Sequence, residues 1–215
     1  MQSGSSNSYR VLLSGGEGEY IEKKSRFIGI VRKCETEEEA TAFVDEMKKK
    51  YWDARHHCSA FIIGSKGELT RCSDDGEPSG TAGRPMLEVL TGSGIKNVVA
   101  VVIRYFGGVL LGTGGLVRAY TQALKEALDN CQVGVMRYGV KLELTTDYNG
   151  IGKLQYFLAG KGIVPLSTDF TDKVVMALIV PAEETEQLQK ELVELTNGKI
   201  GIEKIEELFY VAQET

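Results

Sequence analysis

Along this 215-residue chain the apolar positions switch between the two-residue period of a strand and the 3.6-residue period of a helix, and the switches mark its elements. Residues 20–33 end in Arg26-Phe-Ile-Gly-Ile-Val-Arg32, whose β-branched and aromatic content predicts a strand. Thr36 with Glu39 three residues later forms a capping box, so a helix is expected to start there. Ala40, Phe43, Val44 and Met47 share one face of it, and Lys48, Lys49 and Lys50 sit at its carboxyl end, where cations suit the helix dipole. Residues 58–64 and 69–72, joined by Gly64-Ser-Lys-Gly67, read as a hairpin. A polar loop over 73–84 follows, and Pro85 suits the first turn of a short helix through Leu90. Residues 97–105 are nearly all β-branched and predict a central strand buried on both faces.

After that strand, the segment 104–118 carries five glycines and opens into a helix running to about Asn130. From 131 onward the pattern predicts a strand to 144, a helix over 148–159, strands over 163–170 and 173–180, a helix over 183–195 and a strand over 200–210. This β-α-β-β-α-β order predicts a ferredoxin-like domain, two helices over one face of a four-stranded antiparallel sheet. The expectation is an α+β protein with a flexible tail over 1–19, an α/β domain over 20–133 and the ferredoxin-like domain over 134–215.

Composition narrows the function classes. Apolar residues make up 42% and charged residues 26%, the balance of a folded, water-soluble protein. The longest apolar runs, 98–103 and 174–180, are far shorter than the roughly 18 residues that cross a bilayer, so no membrane association is expected. Residues 1–8 are Gly/Ser-rich, without the basic start and apolar run of a secretory signal. Cys34, Cys58, Cys72 and Cys131 are widely spaced with no C-x-x-C pair, which points to reduced thiols and a cytoplasmic location. The net charge of −5 is uneven: residues 1–130 balance to zero and 131–215 carry all of it. Any nucleic-acid contact must come from a local patch in the first part.

The candidate chemistry lies in the loops. Gly107, Gly108, Gly112, Gly114 and Gly115, bracketed by Arg104 and Arg118, would let backbone amides approach an anion such as a phosphate or an RNA backbone. The same glycines would also allow close packing of a turn against a helix. The segment lacks the Lys-Ser/Thr ending of a Walker loop and the compact dinucleotide fingerprint, which excludes those nucleotide binders. Asp74, Asp75 and Glu77 place three carboxylates within four positions and could ligate magnesium if a phosphate completed the shell. Three acids in a solvated turn need no metal, and hard-cation sites draw further ligands from elsewhere, so neither metal nor cofactor is assigned. His56-His57-Cys58 suggests a nucleophile or a zinc site, but neighbouring strand residues point to opposite faces, which favours a structural role for His57 and Cys58. Ser79 lacks the Gly-x-Ser-x-Gly setting of a hydrolase.

Four motifs in order, Lys24-Ser-Arg-Phe27, His57-Cys-Ser-Ala-Phe61, residues 73–83, and Arg104-Tyr-Phe-Gly-Gly108 with 111–120, resemble the IMPACT/YigZ family, and residues beyond 130 resemble the bacterial extension of that family. The resemblance implies a first domain like the second domain of ribosomal protein S5 and a second like the last domain of elongation factor G. It further implies a role as a regulator of translation whose partner is a ribosome, RNA or a translation-related protein, with no firm reaction assigned to bacterial members. The family's marked residues fall on Arg26, His57, Ser59, Asp74, Asp75, Glu77, Ser79, Arg104, Gly107, Gly108, Gly112, Gly114, Gly115 and Arg118. The alternative is an enzyme acting on a small phosphorylated substrate, with magnesium at Asp74, Asp75 and Glu77.

Overall fold

The computed structural model describes residues 8–212, which form two compact units, 9–135 and, with Ser8, 136–212. In the first unit a five-stranded antiparallel sheet has the order β2 (Gly16–Glu22), β3 (Ser25–Lys33), β7 (Val98–Tyr105), β4 (His56–Ile63), β5 (Leu69–Ser73). Helices α2 (Gly83–Ser93) and α3 (Gly112–Asp129) cover one face, where Phe27, Cys58, Ala60, Ala100 and Val102 meet Met86, Leu90, Ala119 and Tyr120. Helix α1 (Glu37–Lys50) covers the other, with Ala40, Phe43 and Met47 against Ile28, Ile30, Val101 and Ile103. Burying both faces is why β7 reads as an unbroken apolar run.

Local signals act as the sequence predicts in α1. Thr36 Oγ1 accepts from Glu39 N at 3.2 Å, while the Glu39 carboxylate reaches back to Glu35 N at 2.7 Å, one residue before the cap. Elsewhere the structure corrects the reading. The expected tail over 1–19 contains two strands, β1 (Ser8–Ser14) and β2, and residues 1–7 lie outside the described residues. Val11 and Leu12 are buried, and β1 pairs in parallel with β6 (Ile95–Lys96). The Gly/Glu-rich β2 gave no strand signal because it is an edge strand under a close helix. At Gly29 on the neighbouring strand a Cβ would come within 2.4 Å of the Ala123 carbonyl of α3, so small residues rather than apolar ones fill this contact.

In the second unit β8 (Gln132–Thr146), α4 (Ile151–Gly160), β9 (Ser167–Phe170), β10 (Val174–Pro181), α5 (Thr185–Leu195) and β11 (Gly201–Ala212) follow in the expected β-α-β-β-α-β order. The strands lie in the order β9-β10-β8-β11. Leu154 and Leu158 of α4 and Leu188 and Leu192 of α5 pack on Leu142, Leu144, Met176 and Leu178, so both helices cover one face. The architecture is α+β. No helix among the described residues is long and apolar enough to cross a membrane.

Candidate functional site

The register brings the sequence motifs to one end of the five-stranded sheet. Arg26 pairs with Tyr105, Arg104 with His56, and Ser59 with Ser73. The turn at 23–24, the segment 51–55, the loop 74–82 and the segment 106–111 therefore all leave the sheet at this end. Strand periodicity then sorts neighbours by face. Phe27, Arg104 and His56 lie side by side on the face under α2 and α3, whereas His57, opposite Ile103, lies on the α1 face. There His57 Nε2 is 3.0 Å from the Tyr51 carbonyl. His57 and Cys58 thus diverge, and His56, which no sequence signal distinguished from its neighbour, turns toward the acidic loop.

The acidic loop spends its carboxylates internally. Asp74 Oδ1 accepts from Ala82 N at 3.0 Å and Gly83 N at 2.8 Å, and Oδ2 accepts from Gly80 N at 2.8 Å. It thereby caps α2, whose own N-cap residue Ala82 has no capping side chain. Burial raises the Asp74 pKa, but the three amide hydrogen bonds outweigh that effect and hold it below the ordinary value. Asp75 Oδ2 accepts from His57 N at 2.7 Å and Oδ1 from Lys48 Nζ at 3.0 Å. Burial opposes ionisation here too, yet the His57 amide and Lys48 lower its pKa overall. Asp75 takes a positive φ of 40°, and its carbonyl faces His56 Nδ1 at 2.9 Å.

Glu77 is buried, and its Oε1 accepts from Arg104 Nη1 at 2.6 Å and from the Tyr120 hydroxyl at 2.8 Å, with His56 Nε2 3.9 Å away. The Tyr120 pKa is raised, first by burial and then by the neighbouring Cys58 and Glu77. Burial pushes the Cys58 thiol up to about 12, so it is a protonated core side chain rather than a nucleophile. The three acids therefore face three different sets of partners and do not converge on one point. Among the described residues no group of three His, Cys, Asp or Glu side chains could hold a metal ion. The donor set does not fit the magnesium site that the sequence allowed, because each carboxylate would have to abandon amide or cation partners to form it.

Arg104 is likewise not a surface phosphate ligand. Its side chain is 7% exposed, with Cζ 5.4 Å from the Phe27 ring and 5.5 Å from the Phe106 ring. Ser79, Arg26 and Arg118 are exposed, and Arg26 pairs with Glu19 at 2.7 Å. Gly107 donates to Ser25 Oγ at 3.0 Å, and a Cβ there would lie 2.1 Å from the Lys24 carbonyl carbon, so only glycine lets 106–111 close onto the β2–β3 turn. Gly108 and Gly112 have φ of 84° and 68°. The expected glycine loop is shorter than its sequence suggests. Helix α3 already starts at Gly112, so Gly112, Gly114 and Gly115 form its first turn, with no side-chain cap and no acidic residue there. Poor helix formers are tolerated at that position because few intrahelical bonds depend on them, and Gly115 packs against Leu111.

Lys23, outside the motifs, and Lys24, which opens the first of them but was not a candidate site residue, are two exposed residues at the tip of the β2–β3 turn with φ of 45° and 67°. Trp52, Phe106 and Leu110 are also exposed at this end, at 80%, 41% and 84%.

Residues 23–128 match the Impact N-terminal domain, and residues 144–199 match a domain of unknown function, DUF1949. IMPACT family member YvyE of Bacillus subtilis is 39% identical over 92% of this chain and 91% of its own length. IMPACT family member YigZ of Escherichia coli is 36% identical over 86% of this chain and 92% of its own. A solved structure described only as a hypothetical protein matches with a TM-score of 0.60 and 33% identity, covering 93% of this chain and 98% of that one. With two such relatives aligned along nearly their whole length, and with the motif loops gathered in the matched domain, the chain belongs to the IMPACT family.

Proposed function

We propose that this protein is a binding module of the translation apparatus that contacts ribosomal or other RNA through the loop end of the five-stranded sheet, rather than a catalyst. The observation that carries the reading is the division of charge at that end. Asp74, Asp75 and Glu77 are engaged inside the domain, whereas Lys23, Lys24, Arg55 and Arg118 are exposed at the end that also exposes Trp52, Phe106 and Leu110. Cations interleaved with aromatic side chains suit a nucleic-acid backbone and its unstacked bases. The uncapped first turn of α3 adds backbone amides of the same polarity. The strand order of the second unit supports reading it as a ferredoxin-like domain similar to the last domain of elongation factor G, and the S5-like fold that the family resemblance implies for the first unit would suit a ribosomal setting. A magnesium-dependent enzyme finds no support in carboxylates already committed elsewhere.

Co-sedimentation with ribosomes across a salt series tests the reading. Binding is expected to weaken steeply with salt and to be lost in Lys23→Glu/Lys24→Glu/Arg118→Glu, a variant that changes only exposed side chains. Salt-independent binding, or equal binding by the triple variant, would overturn it; binding that survives nuclease treatment would transfer the surface to a protein partner.

A further inference from the structure

Arg104 is built into the domain by one edge only. Nη1 donates to Glu77, while Nε, on the side-on edge of the guanidinium, is buried with no hydrogen-bond partner among the described residues. A buried donor left unpaired is a standing cost that a bound acceptor removes. Two features restrict what that acceptor is. Glu77 already balances the arginine charge at 2.6 Å, so a second full anion would meet carboxylate repulsion and a neutral acceptor is favoured. The guanidinium carbon also lies 5.4 Å from the Phe27 ring and 5.5 Å from the Phe106 ring, and whereas Phe27 is fully buried, Phe106 is 41% exposed and offers a flat apolar face beside it.

A flat guest with neutral acceptors along one edge is a nucleobase. The side-on fork, Nε–H with Nη2–H, matches the adjacent O6 and N7 acceptors of guanine. Adenine places a donor where guanine has O6, and pyrimidines lack the pair. Bases splayed from single-stranded RNA stack on aromatic side chains in this way. We propose that Arg104 and Phe106 form a subsite for one unpaired guanine, Phe106 stacking on the base and the free edge of Arg104 reading it. Glu77, held by Tyr120, is a positioning residue that fixes the guanidinium by its other edge. Nε is buried, so the subsite requires the side chains over it to open, and Phe106 is the partly exposed ring beside it. The inference rests on the RNA-binding reading above and names the base that reading would select.

The test is fluorescence anisotropy of the full chain with labelled single-stranded UUGUU, UUAUU and UUUUU at low salt. The guanine-containing RNA is expected to bind about tenfold tighter than the other two. Phe106→Ala and Arg104→Lys are each expected to abolish the preference while leaving weaker, sequence-independent binding. Thermal unfolding reports whether each variant folds, and if Arg104→Lys does not, the partly exposed Phe106→Ala decides alone. Equal affinity for the three RNAs, or a preference unchanged in Phe106→Ala, would overturn the subsite. If ribosome co-sedimentation remains salt-dependent in that case, the RNA reading stands without the subsite; if neither RNA nor ribosomes bind, both fall. Nuclease-resistant capture of ribosomal proteins would reassign the donor to a peptide carbonyl and overturn the guanine assignment.

Discussion

The two-residue turn between Glu22 and Ser25 places Lys23 at φ 45° and Lys24 at φ 67°, where Asn-Gly is the favoured pair. Left-handed backbone costs an ordinary L-residue roughly 1 kcal/mol. Lys23→Asn/Lys24→Gly should relieve most of that at both positions, less about 0.5–1 kcal/mol for the extra freedom glycine gives the unfolded chain. The net expectation is a gain of about 1 kcal/mol and a rise of roughly 3–5 °C in the unfolding temperature of the first unit. The same change deletes two exposed cations, so the slope of log affinity against log salt in ribosome co-sedimentation should fall by roughly 1.5. Stability and binding then move in opposite directions, as expected where backbone strain is kept for contact. Lys23→Gln/Lys24→Gln separates the effects, because it removes the charge while leaving the strain and should lose binding without gaining stability. The reasoning fails if the Asn-Gly turn melts below the native protein, or if its salt slope is unchanged.

Removing the Asp74 carboxylate should cost about 2–4 kcal/mol, because three backbone amides lose a charged acceptor; urea unfolding of Asp74→Ala measures it. Since the folded pKa values of Asp74 and Asp75 lie below the ordinary ~3.9, their contribution is complete above about pH 5 and is lost as pH falls through the folded values, so Asp74→Ala should flatten the acid side of the stability profile. Glu77→Leu leaves the Arg104 charge buried and unbalanced and should cost about 3–5 kcal/mol, with Glu77→Gln less damaging because an acceptor remains for Arg104 and Tyr120. Gly107→Ala should destabilise by about 3 kcal/mol or more by driving a Cβ into the Lys24 carbonyl, whereas Gly108→Ala, with open space around it, should cost only about 1 kcal/mol from its positive φ. In native protein Ellman's reagent should titrate the exposed Cys72 quickly and leave Cys34 and Cys58, buried thiols raised to about 12, unreacted until unfolding.

The signals that the residues carry on their own are local. The capping box of α1, the hairpin of β4 and β5, the apolar run of β7 and the β-α-β-β-α-β order of the second unit are all legible in patterns within short stretches of the chain. The motif residues were also visible as a set. Their roles were not, because a role depends on which strands pair and in which register. Pairing places His56 beside Arg104 and sends His57 to the other face, a choice that one residue of slip would reverse. The same packing brings Asp74 to an α2 terminus eight and nine residues away, and brings Glu77 to Arg104 and Tyr120 across 27 and 43 residues. Three acids that look like one cation site in sequence become a helix cap, a lysine and amide partner, and half of a buried ion pair. The strand at 16–22 was hidden for a related reason: α3 requires glycine at Gly16 and Gly18 where it approaches the sheet, and glycine carries no strand signal until the helix that demands it is in place.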